Sequence, residues 1–328
     1  MSKQILVAGG AGYIGSYMVK MLARHGYEPV VIDNLSRGHK ELVVAGKFIE
    51  GDLLDKALLQ RLFSEHNIEA VFHFAALAYV GESIKYPSLY YKNNVCATWN
   101  LLDQMVRHRV PYFIFSSTCA TYGEPKWLPL TENHPQNPIS PYGRTKLAIE
   151  WMLEDFWQAY GLKYINLRYF NAAGADPDGE VGEWHEPETH LIPNILLSLL
   201  SENRLLEVYG NDYPTPDGTC IRDYIHIHDL CYAHLLALNY LMDGGKPDSF
   251  NLGNGEGYSI VEIIRATEKI TGEKVNFEYR ERRPGDPARL VGSAEKAKRI
   301  LGWKPEYPEI DVIIDTAWKW HKKRLVKE

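Results

Sequence analysis

A tyrosine and a lysine stand four positions apart in the segment SPYGRTK at 140–146, where an apolar-periodic stretch begins. Residues at i and i+4 share one helix face, so the Tyr142 phenol and the Lys146 ammonium are expected to lie side by side. A free phenol ionises at about pH 10, and a neighbouring positive charge favours the phenolate. Lowering that pKa to about 7 takes roughly 4 kcal/mol and would give a general base suited to neutral pH. The alternative is a surface pair that only supports the helix.

Hydroxyl groups end another apolar stretch, in the segment FSSTCATYG at 115–123. An apolar run of this kind is typical of a buried strand, and ligands of open α/β sheets bind beyond the carboxyl ends of the strands. Thr118 lies at that end and could donate a hydrogen bond to a substrate hydroxyl or relay its proton. Ser116 is expected to bond to backbone, and Cys119 is expected to be a small packed residue.

Three glycines follow the first apolar run with the spacing G-x-x-G-x-x-G, at Gly9, Gly12 and Gly15. A strand-like run precedes them and a helical pattern follows. Glycines at such a turn let the backbone approach a diphosphate closely, and the helix N-terminus stabilises the negative charge. The pattern alone also fits an ordinary tight turn, but its place between a strand and a helix favours dinucleotide binding.

The acid that ends the second strand discriminates between two dinucleotides. Asp33 stands where a carboxylate accepts hydrogen bonds from both adenosine ribose hydroxyls, and it would repel a 2′-phosphate. NAD is therefore favoured over NADP, although Arg37, four residues further on, is an argument for NADP. Asp52, after the third strand, would either contact the adenine amine or cap a helix, and the sequence leaves both roles open.

Strand-like and helix-like segments alternate through the first half and must position these residues. Nearly continuous apolar strands separated by helices predict an α/β fold of the doubly wound, Rossmann type, with a parallel sheet covered by helices on both faces. The expected strands lie at 5–8, 29–33, 47–50, 70–75, 112–116 and 164–170, and the expected helices at 14–25, 58–63, 89–109 and 141–160.

The pattern changes after Asn171. Residues 174–190 and 210–218 hold glycine, proline and charged residues in irregular order, which predicts a smaller, loop-rich lobe. An apolar run at 224–227 indicates that the chain then returns to the first lobe. We therefore expect a dinucleotide-binding domain at 1–171, with chain returns around 222–253, and a second domain mainly within 172–328.

The composition limits the partners of the chain. It has 328 residues, and 36 Lys and Arg against 42 Asp and Glu give a net charge of −6, so no nucleic-acid partner is expected. The four cysteines have no C-x-x-C spacing and are expected to be reduced. No apolar run approaches the roughly 20 residues of a membrane span, and no signal-peptide pattern is present. These features predict a soluble, cytoplasmic protein without a membrane partner.

The glycine pattern, the Ser-Ser-Thr strand end and the Tyr-x-x-x-Lys pair together resemble the extended short-chain dehydrogenase/reductases. Further segments resemble one branch of that family, the nucleotide-sugar 4-epimerases that act on UDP-hexoses. These segments follow in order along nearly the whole chain: HFAA at 73–76, VGES at 80–83, NNV at 93–95, RYFN at 168–171, YGNDY at 209–213, RDYIH at 222–226 and RRPGD at 282–286.

The resemblance implies an activity, the reversible interconversion of UDP-glucose and UDP-galactose with bound NAD. In the family, a tyrosine takes the proton of the sugar 4-hydroxyl while hydride passes from C4 to the nicotinamide. The 4-keto sugar then rotates and is reduced on its other face. Tyr142 matches that tyrosine, Thr118 its Ser/Thr partner and Lys146 the lysine that binds the nicotinamide ribose. Tyr169 matches a residue that packs near the nicotinamide.

The resemblance also implies a partner and a set of binding residues. Two helices of this family pair across a dimer, and the helices expected at 89–109 and 141–160 resemble them, which implies a homodimer. The cofactor contacts implied are Gly9, Gly12, Tyr13, Ile14, Gly15, Asp33, Asn34, Asp52, Leu53, Phe74, Ala75, Ala76, Asn93, Tyr142, Lys146 and Tyr169. The UDP-sugar contacts implied, mostly in the second domain, are Thr118, Tyr142, Asn171, Leu191, Tyr209, Arg222, Arg283, Asp286 and Leu290.

Three positions depart from the family pattern. Ala78 stands where many members have a lysine that contacts the cofactor. The segment THLIP at 189–193 replaces an Asn-Asn pair, so the resemblance defines no role for His190. Leu290 stands where a bulky tyrosine excludes N-acetyl sugars and smaller residues admit them. Its intermediate size predicts some turnover of UDP-GlcNAc and UDP-GalNAc.

Other activities match the residues less well. The nearest alternative is a 4-epimerase for another sugar, such as UDP-glucuronate or UDP-xylose. Dehydratases of this family carry a carboxylate at the strand end, where this chain has Cys119 and Ala120. A protein that only senses NAD would need the glycines but not the Tyr142–Lys146 pair.

No metal site is expected from the sequence. The stretch HEPETH at 185–190 lacks the H-E-x-x-H spacing of a zinc helix, and Pro187 would disrupt a helix there. His226 and His228 could share one face of a strand, but no third ligand lies at a suitable spacing.

Overall fold

The computed structural model describes residues 3–201, 205–283 and 286–327. Its strands are β1 Gln4–Ala8, β2 Glu28–Asp33, β3 Lys47–Glu50, β4 Ile68–His73, β5 Tyr112–Thr118, β6 Lys163–Tyr169, β7 Asn171–Ala173, β8 Leu206–Tyr209, β9 Ile221–Arg222, β10 Tyr224–His226, β11 Asp248–Leu252, β12 Tyr258–Ser259, β13 Phe277–Arg280 and β14 Arg289–Leu290. Its α-helices are α1 Tyr13–Arg24, α2 Lys56–Glu65, α3 Val80–Lys85, α4 Pro87–Tyr90, α5 Ala97–Arg107, α6 Pro141–Tyr160, α7 Leu191–Leu199, α8 Ile227–Met242, α9 Ile260–Thr271, α10 Glu295–Leu301 and α11 Ile310–Lys327.

The largest sheet has seven parallel strands in the order β11-β6-β5-β4-β1-β2-β3. The strand order reverses at β1, which pairs with β2 on one side and β4 on the other. In sheets of this kind the ligand crevice lies beyond the carboxyl ends of the strands at that reversal. The predicted doubly wound, Rossmann-type fold is confirmed.

Helices cover both faces of this sheet because its strands are apolar on both sides. In β1, Ile5 and Val7 face the apolar cluster that α1 and α8 complete. Leu6 and Ala8 face the opposite cluster, formed with α2, α5 and α6. All four residues are fully buried. Successive side chains of a strand point to opposite faces, so one short run supports two helical layers.

The second lobe has its own apolar cluster, built from α7, α9, α11 and the pair β8–β13. The chain leaves this lobe to contribute to the large sheet. Strand β11 pairs with β6 at one edge, and α8 packs against α1. Two small sheets, β7–β10 and β12–β9–β14, connect the lobes near the carboxyl ends of the large sheet's strands.

The long helix predicted at 89–109 is interrupted. It consists of α4, a π-helical turn at Tyr91–Cys96, and α5. Asn94 in that turn is buried, and its side chain bonds both backbone groups of Leu77 and the hydroxyl of Thr145. A π turn inserts a residue into the helix, so apolar spacing alone does not reveal it. Among the described residues, no helix is long and apolar enough to span a membrane.

Candidate active site

The first two turns of α6 carry the tyrosine–lysine pair. The Ser140 hydroxyl caps the helix by accepting the Gly143 N–H at 3.1 Å. Tyr142 and Lys146 lie on one face, with Lys146 Nζ 6.0 Å from the centre of the Tyr142 ring. Lys146 Nζ also donates to the Ser116 carbonyl at 2.8 Å, which holds the ammonium beside the end of β5.

Burial governs the ionisation of both side chains. It raises the pKa of Tyr142 well above its usual value, and a hydrogen bond with Thr118 acts in the opposite direction. Burial also lowers the pKa of Lys146 to about 7, while Glu150 acts to raise it. The near-neutral pKa expected for Tyr142 is therefore not found in the chain by itself. Removing the phenolate from water outweighs the stabilisation that its neighbours supply.

Thr118 and Tyr169 lie beside this pair at the ends of adjacent strands. The two residues are in register in the β5–β6 pairing. The Thr118 hydroxyl accepts the Ala120 N–H at 3.1 Å, and the Tyr169 hydroxyl bonds the Ser116 hydroxyl at 2.5 Å. Ser116 thus contacts Lys146 through its carbonyl and Tyr169 through its side chain. The structure brings the four residues together at the carboxyl edge of the sheet, and their catalytic roles stay predictions.

A buried glutamate completes the reactive face of α6, and the sequence interpretation missed it. Glu150 follows Tyr142 and Lys146 at the next i+4 position and is 5 % exposed. Its carboxylate accepts two hydrogen bonds from Arg168, at 2.9 and 2.6 Å, and one from the Ser117 hydroxyl at 2.5 Å. Gln136 donates a fourth bond at 2.9 Å.

This network gives Glu150 a positioning role. It supplies the negative charge that acts to raise the pKa of Lys146, and it fixes Ser117, whose neighbours Ser116 and Thr118 face the site. The sequence does contain a signal for Glu150, because the pattern YxxxKxxxE places three residues on one helix face. The partner that allows a buried carboxylate, Arg168, comes from β6 and is not evident from local spacing.

The glycine-rich turn between β1 and α1 fits a diphosphate. A Cβ on Gly15 would lie 2.1 Å from the Gly9 carbonyl, and one on Gly9 would lie 2.5 Å from the Ala75 nitrogen, so the fold itself requires both glycines. A Cβ on Gly12 would meet nothing closer than 3.5 Å. Gly12 is the N-cap of α1, and no side chain caps the helix there. The N–H groups of the first turn of α1 therefore suit an anion.

Asp33 ends β2 beside this turn. Its two carboxylate oxygens accept the Ala11 N–H at 3.0 Å and the Leu35 N–H at 2.9 Å. Burial raises the pKa of Asp33, while these two backbone bonds act to lower it. Each Asp33 oxygen keeps a lone pair that can accept a ribose hydroxyl. The Arg37 guanidinium instead pairs with the Glu82 carboxylate, with 2.7 Å between nitrogen and oxygen.

Asp52 is not a helix cap, which removes one of its two predicted roles. The N-cap of α2 is Asp55, whose side chain accepts the Ala57 and Leu58 N–H groups. Asp52 accepts the Leu54 N–H at 2.8 Å and the Asn34 side-chain amide at 3.0 Å. Asn34, Asp52 and the buried Leu53 thus lie together beyond β2 and β3, and the adenine contact stays a prediction.

The other predicted cofactor residues occupy different positions around the turn. The Phe74 and Ala75 N–H groups both donate to the Ala8 carbonyl, so this segment packs against the backbone next to Gly9. Ala76 follows it and is partly exposed. The Tyr13 hydroxyl donates to the Gly174 carbonyl at 2.6 Å. Only the backbone and ring of Tyr13 are therefore left for a cofactor contact.

Ile14 and Asn93 complete that set. Ile14 lies in the first turn of α1, where its carbonyl is 3.6 Å from the Cys231 thiol. Asn93 lies in the π turn, and its amide donates to Asn94 at 3.1 Å. Both residues are partly buried.

Several predicted substrate residues meet where β9 and β14 pair. Arg222 and Leu290 are in register there, and the Arg222 guanidinium lies 3.4 Å from Asp286. The Asn171 side chain donates to the Asp223 carbonyl at 2.8 Å, next to Arg222. This cluster is close to the end of β5, since Arg222 acts on the pKa of Cys119.

Cys119 connects that cluster to Thr118. Burial raises the pKa of its thiol to about 12, and Arg222 is near enough to act in the opposite direction. The thiol is therefore protonated at neutral pH, which agrees with a packed residue. It lies in one small apolar cluster with Tyr122, Leu130 and the partly buried Leu290.

A second substrate group lies on β8 and the segment after β13. The Arg283 guanidinium stacks 3.9 Å from the centre of the Tyr209 ring, and the Tyr209 hydroxyl donates to Glu207 at 2.6 Å. Leu191 begins α7 and packs against the apolar cluster of the second lobe. Gly285 of the RRPGD motif lies outside the described residues.

Fold and site together define a class of protein, an α/β chain with a dinucleotide turn and a tyrosine–lysine pair at one sheet edge. The chain belongs to the NAD dependent epimerase/dehydratase family, whose model matches residues 5–253. NAD is the cofactor of this family, and the open glycine turn and Asp33 fit it.

Individual relatives narrow the comparison. The UDP-glucose 4-epimerase of Halalkalibacterium halodurans is 50% identical over 319 residues, which cover 97% of this chain and 96% of that protein. The crystal structure of UDP-glucose 4-epimerase from Brucella ovis in complex with NAD has a TM-score of 0.94 and 52% identity, covering 97% of this chain and 98% of that one. The enzyme from Stenotrophomonas maltophila, solved with NAD and formylated UDP-arabinopyranose, has a TM-score of 0.95 and 37% identity, covering 99% and 100%.

Replacing Glu150 by Gln tests its positioning role. The variant keeps the size of the side chain but removes the charge that acts to raise the pKa of Lys146, so that pKa should fall further. We expect kcat at neutral pH to drop at least about tenfold, and the limb of the pH–rate profile that reports Lys146 should move to lower pH. Unfolding measurements should show a loss of about 3 kcal/mol, because Arg168 is left buried without its partner.

Glu154→Gln, one turn further along α6, is the matched control. Glu154 is exposed and bonds Gln158 and Tyr164, so the pH–rate profile should not change. If kcat of Glu150→Gln falls equally at every pH and the pH–rate profile does not shift, Glu150 has only a structural role.

Proposed function

We propose that this chain interconverts UDP-glucose and UDP-galactose by transient oxidation at C4 of the hexose. The observation that carries the proposal is the placement of Tyr142, Lys146 and Thr118 between the glycine turn and the Arg222 cluster. The relatives named UDP-glucose 4-epimerase, which match nearly the whole chain at about half identity, support the same substrate pair.

When bound, NAD would supply the acceptor for the hydride of C4 and the donor that returns it to the opposite face of the sugar. Its diphosphate would be held by the backbone of Gly12 and the first turn of α1, and its adenosine ribose by Asp33. Lys146 would hold the nicotinamide ribose, with Tyr169 packed nearby. Ala78 brings no charge to the position where many members of the family have a lysine, so the diphosphate would depend on the first turn of α1.

Tyr142 is the proton carrier in this proposal. Its phenolic oxygen takes the proton of the 4-hydroxyl as hydride leaves C4, and it returns that proton after the 4-keto sugar has turned over. Thr118 bonds the same hydroxyl and orients it. Lys146 favours the phenolate form electrostatically, so its ammonium must persist at neutral pH despite burial. Glu150 serves that requirement.

A small number of arginine side chains would bind the UDP group. The whole chain is net negative, so an anionic ligand depends on local arginines. Arg222 is partly buried and Arg283 is exposed, and a guanidinium pairs with phosphate through two parallel hydrogen bonds. Asn171 and Asp286 lie beside Arg222, and Tyr209 lies beside Arg283, as further contacts.

Tyr142→Phe tests the assigned base. The NAD-loaded variant should convert UDP-galactose to UDP-glucose roughly 100- to 10,000-fold more slowly, the usual contribution of general acid–base catalysis. Bound NAD should be retained, because the aromatic ring stays in place. Coupled detection of UDP-glucose gives the rate, and absorbance gives the NAD content.

Tyr160→Phe is the control for this test. Tyr160 ends the same helix, and Tyr160→Phe keeps its apolar ring and removes only the hydroxyl, so turnover should not change. A near-normal rate for Tyr142→Phe would contradict the assignment, and a wild-type chain that fails to convert UDP-galactose would reject the proposed function itself.

Leu290 is proposed to set the tolerance for N-acetyl sugars. It packs with Cys119 and Tyr122 next to Arg222, which supports a position near the sugar. Wild-type protein should turn over UDP-GlcNAc to some extent, and Leu290→Tyr should lower that activity relative to UDP-glucose by about 10- to 200-fold. Rates on both substrate pairs measure the ratio.

Leu290→Ala should shift the same ratio towards the N-acetyl pair. No detectable wild-type turnover of UDP-GlcNAc would reject the proposed tolerance, as would a Leu290→Tyr variant with an unchanged ratio.

We also propose that the protein is a cytoplasmic homodimer. Large apolar side chains on α4, the π turn, α5 and α6 are exposed, which supports a partner on this face: Leu89, Tyr91, Trp99, Trp151 and Tyr160.

All four cysteines are free, which agrees with a reducing compartment.

A further inference from the structure

Two glutamates and two histidines converge in the loop that leads into α7. One ligand atom each from Glu183, His185, Glu188 and His190 lies within 4.8 Å of the other three. His185 Nδ1 is 3.2 Å from a Glu183 oxygen and 3.7 Å from a Glu188 oxygen. His190 Nδ1 contacts that same Glu183 oxygen and is 3.8 Å from Glu188.

Burial and missing hydrogen bonds mark this cluster as unusual. Glu183 is 2 % exposed, and His185 Nδ1 is buried without a well-formed hydrogen bond. His321 of α11 is 1 % exposed, and neither of its ring nitrogens has a hydrogen-bond partner. Glu183 and Glu188 both act on the pKa of His321, so this imidazole lies beside the cluster. Buried polar atoms nearly always have partners, which an ion or a water molecule at this place would supply.

We propose that Glu183, His185, Glu188 and His190 bind a divalent transition-metal ion with the ligand preference of zinc. Two imidazole nitrogens and two carboxylate oxygens form a ligand set typical of such ions and unlike the all-oxygen sets of Mg²⁺ and Ca²⁺. None of these four side chains has a role in the proposed epimerase chemistry, which needs no metal.

Close contacts between imidazoles and carboxylates hold the metal-free cluster together. His185 Nδ1 and His190 Nδ1 both lie against one Glu183 oxygen, and both approach Glu188. A bound metal ion would take these nitrogens and oxygens as its ligands, and any proton displaced from an imidazole would go to solvent.

The position of the cluster suggests what the ion does. His185 packs edge-on against Tyr13 of the glycine turn, with ring centres 6.3 Å apart, and against Tyr79 at 6.2 Å. His190 is the N-cap residue of α7, directly before Leu191. An ion at this place would join the cofactor side of the crevice to the second lobe and hold the loop at 183–190 rigid.

The expectation of no metal site here considered only ligands arranged along a helix. The spacing of HEPETH is wrong for a zinc helix, and the structure agrees that the segment before α7 is not helical. The loop instead folds back and brings residues 183, 185, 188 and 190 together. The expectation of no metal site rested on a geometry that the chain does not adopt.

Metal binding can be measured directly on the full-length, NAD-loaded protein. After chelator treatment, the protein is dialysed against zinc sulfate and then against metal-free buffer. We expect elemental analysis to find about one zinc ion per chain, and the Tm to rise with zinc concentration because the ion binds only the folded state. The same concentration of Mg²⁺ should have no effect.

Variants decide where the ion binds. His190→Gln and His185→Gln should each weaken zinc binding at least about tenfold, the lower bound even for the loss of an outer-sphere partner. His190 is half-exposed, so its replacement is the safer test of a folded variant. His66→Gln, at the end of α2, is the control and should bind zinc like the wild type.

Two results would overturn the proposal. The first is a wild-type protein that retains no zinc after dialysis and shows no zinc-dependent Tm. The second is stoichiometric zinc that persists in both His185→Gln and His190→Gln, which would place the ion elsewhere. NAD content and circular dichroism of each variant establish that it is folded.

Discussion

The cost of burying charge governs this active site. A phenol and an ammonium lie on one face of α6, and burial opposes the ionised form of each. The surroundings of each group, taken alone, do not give it the ionised form that catalysis needs. Ionisation of the pair becomes favourable only when the two charges stabilise each other and further groups contribute. Thr118 bonds the phenol, Glu150 supports the ammonium, and the positive nicotinamide ring of NAD⁺ would favour the phenolate.

The rest of the fold serves to bring these groups to one edge of one sheet. Strand β5 supplies Thr118, β6 supplies Tyr169 and Arg168, and the reversal of strand order at β1 opens the crevice for the dinucleotide. Packing requires Gly9 and Gly15, while Gly12 tolerates a Cβ, so the backbone forms much of the proposed cofactor side. Helix N–H groups would supply the positive potential on that side, and a few arginines would supply it on the proposed substrate side.

Local patterns allowed the sequence to predict a large part of this arrangement. The alternation of strands and helices predicted the fold class, and the i, i+4 spacing placed Tyr142 and Lys146 on one helix face. The Ser140 cap of α6 likewise depends only on adjacent residues. In the chain by itself, burial raises the pKa of Tyr142 instead of lowering it, because the depth of burial depends on packing from several elements. The lowering expected beside NAD⁺ stays a prediction.

Residues whose roles depend on distant partners were missed or left open. Glu150 acquires its role from Arg168 on another strand, and the π turn is held by Asn94 through Leu77. Asp52 could have been a cap by its position, but Asp55 forms that cap three residues later. The four residues of the 183–190 loop show no recognised spacing, because an irregular loop rather than a repeating element brings them together.

Ultraviolet difference absorbance of tyrosinate, followed against pH, tests the central claim most directly. In the NAD-loaded wild type, one tyrosine should ionise well below its ordinary pKa of about 10, and this transition should be missing from Tyr142→Phe. In the chain stripped of NAD, the same tyrosine should ionise only above its ordinary range. A loaded protein in which no tyrosine ionises early, or an early transition that survives in Tyr142→Phe, would contradict the account.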